Sequence, residues 1–283
     1  MVSISPLQAI MWTFRRSERD VVNLYNSLSP VMQLATGGDM LNFGYWEGAR
    51  DPIDAQRRLC SLVGDIAGLA SAKMLVDVGS GLGAPAAEWR AAHGSEIVCV
   101  NINKEQLLLS AKPDGISFVN ATSTALPFSD RSADRIVALE SAQHFRPLER
   151  FIAESRRILK DDGILVMALP VMKKGDGHMK AVTGLGILSF TWSSEHYGLE
   201  YVKSAVAGGG FAIDDIRHIG HQVYEPLTDY YVKNRQALRE NILKEYSSFI
   251  EGVLYRSLLK MKDASEKCII DYVIIKALRL EPL

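Results

Sequence analysis

Short β-branched runs alternate with helix-forming segments through the middle of this 283-residue chain. The runs that predict strands are Met74–Val78, Glu96–Ile102, Ile116–Asn120, Asp134–Leu139 and Gly163–Leu169. The segments of helical periodicity between them are Ala84–Ala92, Lys104–Ala111 and Pro147–Lys160. Because consecutive parallel strands need a crossover between them, this order predicts a parallel sheet covered by helices.

Both flanks of this region carry further elements. The predicted flanking elements are a helix over Asp54–Ala70, a helix near Glu195–Val206, a strand near Ala212–His218, one long helix over roughly Leu227–Lys262 and a last strand at Cys268–Ala277. Residues 1–50 predict helix followed by loop, and Lys173–Trp192 is a stretch that carries four glycines. The two late strands predict an antiparallel hairpin that completes the sheet.

Composition argues against several classes of protein. The 32 Lys and Arg residues nearly balance 33 Asp and Glu residues, so no basic surface for nucleic acid is expected. The longest apolar run, Gly163–Met172, has about half of the ~20 residues that a membrane span needs. Three widely spaced cysteines, Cys60, Cys99 and Cys268, favour free thiols over disulfides or zinc. With no secretory signal pattern at the N-terminus, these features predict a cytoplasmic protein.

A glycine-rich turn follows the first predicted strand in the sequence DVGSGLG, which contains Asp77, Gly79, Ser80, Gly81 and Gly83. Glycines at a strand–helix turn let a ligand approach backbone N–H groups closely. The spacing also fits the dinucleotide fingerprint G-x-G-x-x-A. A carboxylate two residues before the first glycine, however, would repel a pyrophosphate and attract an ammonium group. This favours an amino-acid-like cofactor, S-adenosylmethionine, over a nicotinamide dinucleotide.

With these residues the chain resembles the class I S-adenosylmethionine-dependent methyltransferases from about Tyr25 to Ala277. The stretches that carry the resemblance are DVGSGLG, VCVNINKEQL, NATSTALPFSDRSADRIVALE and FIAESRRILKDDGILVMA. The resemblance implies an α/β, Rossmann-like fold: a seven-stranded, mostly parallel sheet with an N-terminal helical cap and a lid insertion near Lys173–Trp192. It implies one methyltransferase domain over 1–283. Its parts are the cap (1–50), the cofactor-binding core (54–170), the lid and acceptor side (171–226), and the C-terminal helix with the last strand (227–283).

The resemblance also implies a set of cofactor-binding residues. They are Tyr25, Asp77, Gly79, Ser80, Gly81, Gly83, Asn101, Ile102, Gln106, Asn120, Ala121 and Glu140. Two of these positions depart from the common pattern of the family, because Asn101 and Asn120 stand where acidic residues are usual. A neutral amide can still bond to a ribose hydroxyl or an adenine edge, but more weakly than a carboxylate does.

The fourth predicted strand runs into the sequence ESAQHF, which places Glu140 and His144 at the expected acceptor side. An imidazole has an ordinary pKa of ~6.5, which suits a general base for a small-molecule hydroxyl or amine. The E-S-x-x-H-F pattern resembles methyltransferases of natural-product sugars and macrolides, in which the matching histidine is the base. A histidine that merely caps the following helix is the structural alternative. Glu140 would orient His144, stabilise a developing cation, or simply end the strand.

Other functions and partners stay open at this point. The chain could methylate a carbon of an isoprenoid or quinone-like acceptor, bind S-adenosylmethionine without turnover, or form a homodimer. No acidic or histidine cluster has metal-ligand spacing, so no metal is expected. His218 and His221 fall in a strand-like segment and are expected on the surface or in the acceptor pocket, since residues i and i+3 of a strand face opposite ways.

Overall fold

In the computed structural model, residues 17–111, 113–173 and 195–281 are described. The strands are β1 (Met74–Val78), β2 (Glu96–Asn101), β3 (Ile116–Asn120), β4 (Ala133–Leu139), β5 (Leu159–Met172), β6 (Phe211–His218) and β7 (Ile270–Arg279). The helices are α1 (Glu18–Thr36), α2 (Pro52–Ala67), α3 (Ala84–His93), α4 (Lys104–Leu109), α5 (Leu148–Ile158), α6 (Leu199–Gly208), α7 (Gly220–Ile242) and α8 (Ser248–Glu266). Two short 3₁₀ turns span Leu69–Ser71 and Ala142–His144.

The seven strands form one sheet in the order β3-β2-β1-β4-β5-β7-β6. Strands β1 to β5 are parallel, and β7 pairs antiparallel with both β5 and β6. This confirms the predicted α/β, Rossmann-like fold with its late antiparallel strands. The strand order reverses between β1 and β4, and ligands of open α/β sheets bind beyond the carboxyl ends of the strands at such a point.

Two apolar clusters, one holding residues of α2, α3, α7 and α8 and the other residues of α5 and α6, pack against the sheet. Helix α5 shows why these helices pack on the sheet. Its residues Phe151, Ile152 and Ile158 are fully buried, while its other side is charged. The helix ends at Ile158, so the prediction that it continues to Lys160 is wrong. Residues from Leu159 onward pair with β4 instead, with an irregular register before Ile164.

The predicted long helix over Leu227–Lys262 is a second error, because the chain forms two helices there. Helices α7 and α8 are separated at residues 243–247 and pack against each other. The Thr228 hydroxyl donates to the Leu258 carbonyl oxygen across this contact, at 2.9 Å. No glycine or proline marks the turn, so the helical periodicity of the sequence continues across it.

Helix α7 begins at Gly220, and this also corrects the interpretation of His221 as a strand residue. His221 bonds to Glu225 one turn further along the helix, while His218 ends β6 and bonds to Asp271. Both histidines therefore have carboxylate partners outside the cleft that is described below.

Helix α1 accounts for the described part of the predicted N-terminal cap. Ser17 and Asp20 form a reciprocal capping box at its start, and Gly37 ends it with φ of +79°. The predicted lid, Lys173–Trp192, lies outside the described residues except for Lys173. Within the described ranges, no helix is long and apolar enough to cross a membrane.

Candidate active site

The glycine turn connects β1 to α3 and leaves the sheet at its carboxyl edge. Gly79, Gly81 and Gly83 all have positive φ, at +79°, +57° and +77°. The backbone N–H groups of Gly79 and Ser80 both donate to the Val100 carbonyl oxygen, which fixes the turn on the end of β2. These backbone angles explain the glycines, since other residues adopt them only with strain.

A cleft opens above this turn. The predicted site residues that line it are Tyr25, Gly79, Ser80, Gly81, Asn101, Ile102, Gln106, Ala121, Glu140 and His144. They come from α1, the glycine turn, β2, α4, the segment after β3 and the end of β4, and the fold brings them to one place.

Three predicted residues lie behind the cleft instead of lining it. A Cβ on Gly83 would come within 2.9 Å of the Phe118 ring, so this glycine lets α3 pack closely on the sheet. The Asn120 side chain donates to the carbonyl oxygens of Asn101 and Ile102, at 2.8 and 2.9 Å. Asp77, the third, lies below the turn and is only 2% exposed.

Asp77 is a buried carboxyl group whose Oδ2 has no hydrogen-bond partner among the described residues. Burial raises the pKa of Asp77 to about 7. An unmatched carboxylate oxygen in the interior is costly, and a cationic group of a ligand would remove that cost. Together with the open space above Gly79, this arrangement fits a cofactor that carries an amino-acid ammonium group.

Asn101 and Gln106 form an amide pair at the end of β2. The Asn101 amide donates to the Gly81 carbonyl oxygen and to Gln106 Oε1, at 3.0 and 2.9 Å. Gln106 in turn donates to the Ser29 hydroxyl on α1 at 3.0 Å, and Asn103 bonds to Asn26 on the same helix. The amide pair therefore connects the glycine turn to the N-terminal helix, which forms one wall of the cleft.

Several lining residues are absent from the sequence prediction. They are Glu18, Val21, Val22, Asp39, Leu41, Asn42, Asn103 and Ser123, among others. Most of them come from α1 and the loop that follows it. No motif marks these positions, because their place depends on how α1 packs over the carboxyl edge of the sheet.

Glu140 ends β4 with a positive φ of +50° and faces the cleft. Its Oε1 accepts hydrogen bonds from the Phe43 backbone N–H at 2.8 Å and from the Tyr272 hydroxyl at 3.1 Å. Burial raises the pKa of Glu140 to about 8, although both hydrogen bonds act in the opposite direction. Two distant parts of the chain thus hold this carboxyl group in place.

His144 closes the 3₁₀ turn that follows β4. Its Nε2 lies 2.8 Å from the Tyr25 hydroxyl oxygen, and the two rings meet edge to face. Burial lowers the pKa of His144 to about 4 and raises that of Tyr25 far above its ordinary value. This corrects the ordinary pKa expected from the sequence, and the lowered pKa makes His144 a weaker base than an ordinary histidine. At neutral pH the imidazole is uncharged and the phenol keeps its proton, so a hydroxyl group at this distance can donate to Nε2.

Comparison with known proteins also indicates a methyltransferase. Residues 76–167 match a family model described as a methyltransferase domain. The chain is 26% identical to the erythromycin 3''-O-methyltransferase of Saccharopolyspora erythraea, over 88% of this chain and 86% of that protein. It is 28% identical to methyltransferase GfsG of Streptomyces halstedii, over 74% and 78% of the two chains.

The chain is an S-adenosylmethionine-dependent methyltransferase, with the matched methyltransferase domain over residues 76–167. The fold agrees with the solved structure of the cyclopropane synthase MmaA2 from Mycobacterium tuberculosis, with a TM-score of 0.80 at 16% identity. The superposition covers 94% of this chain and all of that one. Among the described residues of the methyltransferase, no group of three or more His, Cys, Asp or Glu side chains could hold a metal ion.

The raised pKa of Asp77 predicts that cofactor binding depends on pH. Only the ionised carboxyl group attracts an ammonium ion, so affinity for the product S-adenosylhomocysteine should fall as pH drops through about 7. We expect about a tenfold weaker affinity at pH 6 than at pH 7.5, measured by isothermal titration calorimetry.

Two variants test whether Asp77 causes this pH dependence of affinity. Asp77→Asn should bind S-adenosylhomocysteine weakly and equally at both pH values, because it has no proton to lose. Glu140→Gln removes the other carboxyl group of raised pKa and should keep the wild-type trend. Equal affinity of the wild type at pH 6 and pH 7.5 would contradict the role of Asp77.

Proposed function

We propose that this methyltransferase methylates a hydroxyl group of a small natural-product acceptor, with His144 as the general base. The observation that carries the proposal is the uncharged His144 ring, whose Nε2 already meets a hydroxyl group in the cleft. An aliphatic hydroxyl is a poor nucleophile until it loses its proton, so a positioned base is the group that this chemistry needs.

On the cofactor side, the proposal gives each part of S-adenosylmethionine a partner in the chain. When bound, S-adenosylmethionine supplies a methyl group on a positively charged sulfur. Asp77 would hold the ammonium group, the turn at Gly79 to Gly83 would face the amino-acid part, and Asn101 with Gln106 would bond to the ribose. Ile102 and Ala121 would surround the adenine, and Asn120 would hold the Ile102 backbone from behind. Tyr25, Ser80 and Glu140 would complete the binding wall.

On the acceptor side, Tyr25 marks the place that a substrate hydroxyl would take. An acceptor that displaces the Tyr25 hydroxyl from His144 would donate its own hydrogen bond to Nε2 and then transfer that proton as its oxygen attacks the methyl group. The protein's main contribution is alignment, since a nucleophile held in line with the reacting atom gains most of the rate. The erythromycin relative, named as a 3''-O-methyltransferase, supports this assignment.

Methylation of a carbon is the second candidate, and the fixed position of Glu140 is the observation that favours it. Burial raises the pKa of Glu140 to about 8, so above that pH its carboxylate would stabilise a developing carbocation. Glu140→Gln keeps the side-chain oxygen that accepts from Phe43 and Tyr272 and removes the charge that the wild type carries at pH 9, where the two proteins are compared. For hydroxyl methylation we expect kcat to fall by about tenfold or less, measured by release of S-adenosylhomocysteine. A loss of about 10³-fold or more would favour carbon methylation.

The proposed function is tested with a panel of hydroxylated polyketides and glycosides and their matched deoxy analogues. The purified chain and S-adenosylmethionine should give methylated products only from acceptors that keep the reacting hydroxyl. Release of S-adenosylhomocysteine and the product mass report each reaction. Equal methylation of a deoxy analogue would contradict a hydroxyl acceptor. Binding of S-adenosylhomocysteine without transfer to any acceptor would favour a non-catalytic binding protein.

A further inference from the structure

The cofactor cleft follows the carboxyl edge of the sheet on both sides of β1, the strand that contains Asp77. The acceptor-side residues Glu140 and His144 follow β4 on one side of β1, while β2 and then β3 lie on its other side. A cofactor whose amino-acid part meets Asp77 therefore places its nucleoside part over β2 and β3. Ile102 and Ala121, which follow these two strands, line that end of the cleft.

The adenine base carries a 6-amino group that donates hydrogen bonds, and the ends of β2 and β3 offer it few acceptors. Ile102 and Ala121 are apolar, and Asn120 lies behind the cleft, where its amide donates to two backbone carbonyl oxygens. Asn103 lines the cleft, but its Oδ1 already accepts from two backbone N–H groups of α4, at 3.0 and 3.3 Å. An acceptor from another part of the chain is therefore expected.

Glu18 brings a carboxylate to this end of the cleft. It is exposed, begins α1 and lines the cleft. Its Oε1 accepts a hydrogen bond from the hydroxyl of Thr122, the residue directly after Ala121. The structure gives Glu18 this one hydrogen bond within the described ranges, which leaves Oε2 to a ligand. The Ser123 hydroxyl also lines this end, but a charged carboxylate is the stronger acceptor.

The position of Glu18 follows from how α1 is held over the sheet. Asn26 and Ser29 of α1 accept hydrogen bonds from amide groups of α4 and its N-cap residue, at 2.6 and 3.0 Å. The other carboxyl side chains among the described lining residues are Asp39, which follows the far end of α1, and Glu140, which ends β4. Among these three, Glu18 is therefore the carboxylate next to the segment that follows β3.

We propose that Glu18 accepts a hydrogen bond from the 6-amino group of the adenine and so selects the base of the cofactor. Thr122 is then a positioning residue, because its hydroxyl holds the other oxygen of the same carboxylate. A base with a carbonyl oxygen in place of the amino group would meet Glu18 with repulsion. The inference goes beyond hydroxyl methylation, but it rests on the placement of the adenine between Ile102 and Ala121 in the proposed function.

The probes are S-adenosylhomocysteine and its analogue with hydrogen in place of the 6-amino group, and calorimetry measures their binding without turnover. We expect the wild type to bind the analogue about tenfold more weakly, because a hydrogen bond to a charged group is lost. Glu18→Ala should bind S-adenosylhomocysteine about tenfold more weakly than the wild type does and should bind both compounds equally. Comparing both proteins with both compounds isolates the contact between Glu18 and the amino group.

Three further variants assign this preference to the Glu18 carboxylate. Glu18→Gln keeps an acceptor oxygen without the charge, so its preference for S-adenosylhomocysteine should fall to about threefold. Glu105→Ala removes a first-turn glutamate of α4 that lies outside the cleft and should keep the tenfold preference. Ser123→Ala should keep it as well. Circular dichroism spectra should match the wild type in every variant.

A general disturbance of α1 would weaken both compounds to the same extent and leave the tenfold preference in Glu18→Ala. That result, a preference that is lost in Ser123→Ala instead, or a wild type without any preference would overturn the inference. Hydroxyl methylation would still stand, because the binding is measured without an acceptor. Conversely, methyl transfer to carbon by a protein that shows the Glu18-dependent preference would contradict the proposed function and leave recognition of the base standing.

Discussion

Replacing His144 by alanine is expected to lower kcat for methyl transfer by about 10²- to 10⁴-fold, the usual contribution of a positioned general base. The loss follows because the variant lacks the imidazole that would accept the hydroxyl proton. Affinity for S-adenosylhomocysteine should stay within about threefold, because the glycine turn and the Asn101–Gln106 pair are untouched. Steady-state kinetics and calorimetry on the same preparations measure the two effects.

Tyr25→Phe is the matched control for this variant. It keeps the ring that packs against His144 and removes only the hydroxyl that lies 2.8 Å from Nε2. If an acceptor hydroxyl replaces that of Tyr25 during the reaction, Tyr25→Phe should lower kcat by less than about tenfold, far less than loss of the base. Wild-type activity of His144→Ala would show that the histidine is structural and would favour carbon methylation or an acceptor that is already ionised.

The second large effect is expected for Gly79→Ala. A Cβ at this position would lie 2.3 Å from the Cβ of Ser141, and the backbone φ of +79° adds strain. Together these effects should lower the free energy of unfolding by about 2–5 kcal/mol. The turn must also shift to relieve the clash, so affinity for S-adenosylhomocysteine should fall by more than about 100-fold, since a displacement at such a turn moves the backbone that the ligand approaches.

Gly94→Ala separates the strain of the backbone from the clash in the turn. Gly94 has nearly the same φ, +74°, but a Cβ there meets nothing within 4 Å, and it ends α3 away from the cleft. We expect a loss of about 1–2 kcal/mol in unfolding free energy and no change in affinity for S-adenosylhomocysteine. Chemical denaturation and calorimetry test both variants. Equal cofactor affinity in Gly79→Ala and the wild type would contradict the position of the cofactor over this turn.

The elements that the sequence predicted well are those whose local pattern and final environment agree. Strands Met74–Val78 and Ile116–Asn120 have the predicted bounds, because each is a short β-branched run between turn residues. The glycine turn was equally readable, since positive φ at Gly79, Gly81 and Gly83 leaves few other residue types open. The family resemblance predicted that Asn101, Gln106 and His144 would lie together, and all three line the same cleft.

The features that the sequence did not predict depend on contacts between distant parts of the chain, which no short stretch of sequence shows. The break between α7 and α8 has no glycine or proline, and Tyr246, which follows the end of α7, is buried against Val31 of the distant α1. The support of Glu140 combines Phe43 with Tyr272, which are 97 and 132 residues away from it in the chain.

The most direct test of the account is the chemical position of the transferred methyl group. The wild-type chain is supplied with S-adenosylmethionine labelled with ¹³C at the methyl group and with an acceptor from the hydroxylated panel. The product is then examined by nuclear magnetic resonance, beside the His144→Ala reaction. We predict one labelled methoxy signal from the wild type and almost none from His144→Ala. A labelled carbon–methyl signal of equal intensity from both proteins would contradict hydroxyl methylation by a histidine base.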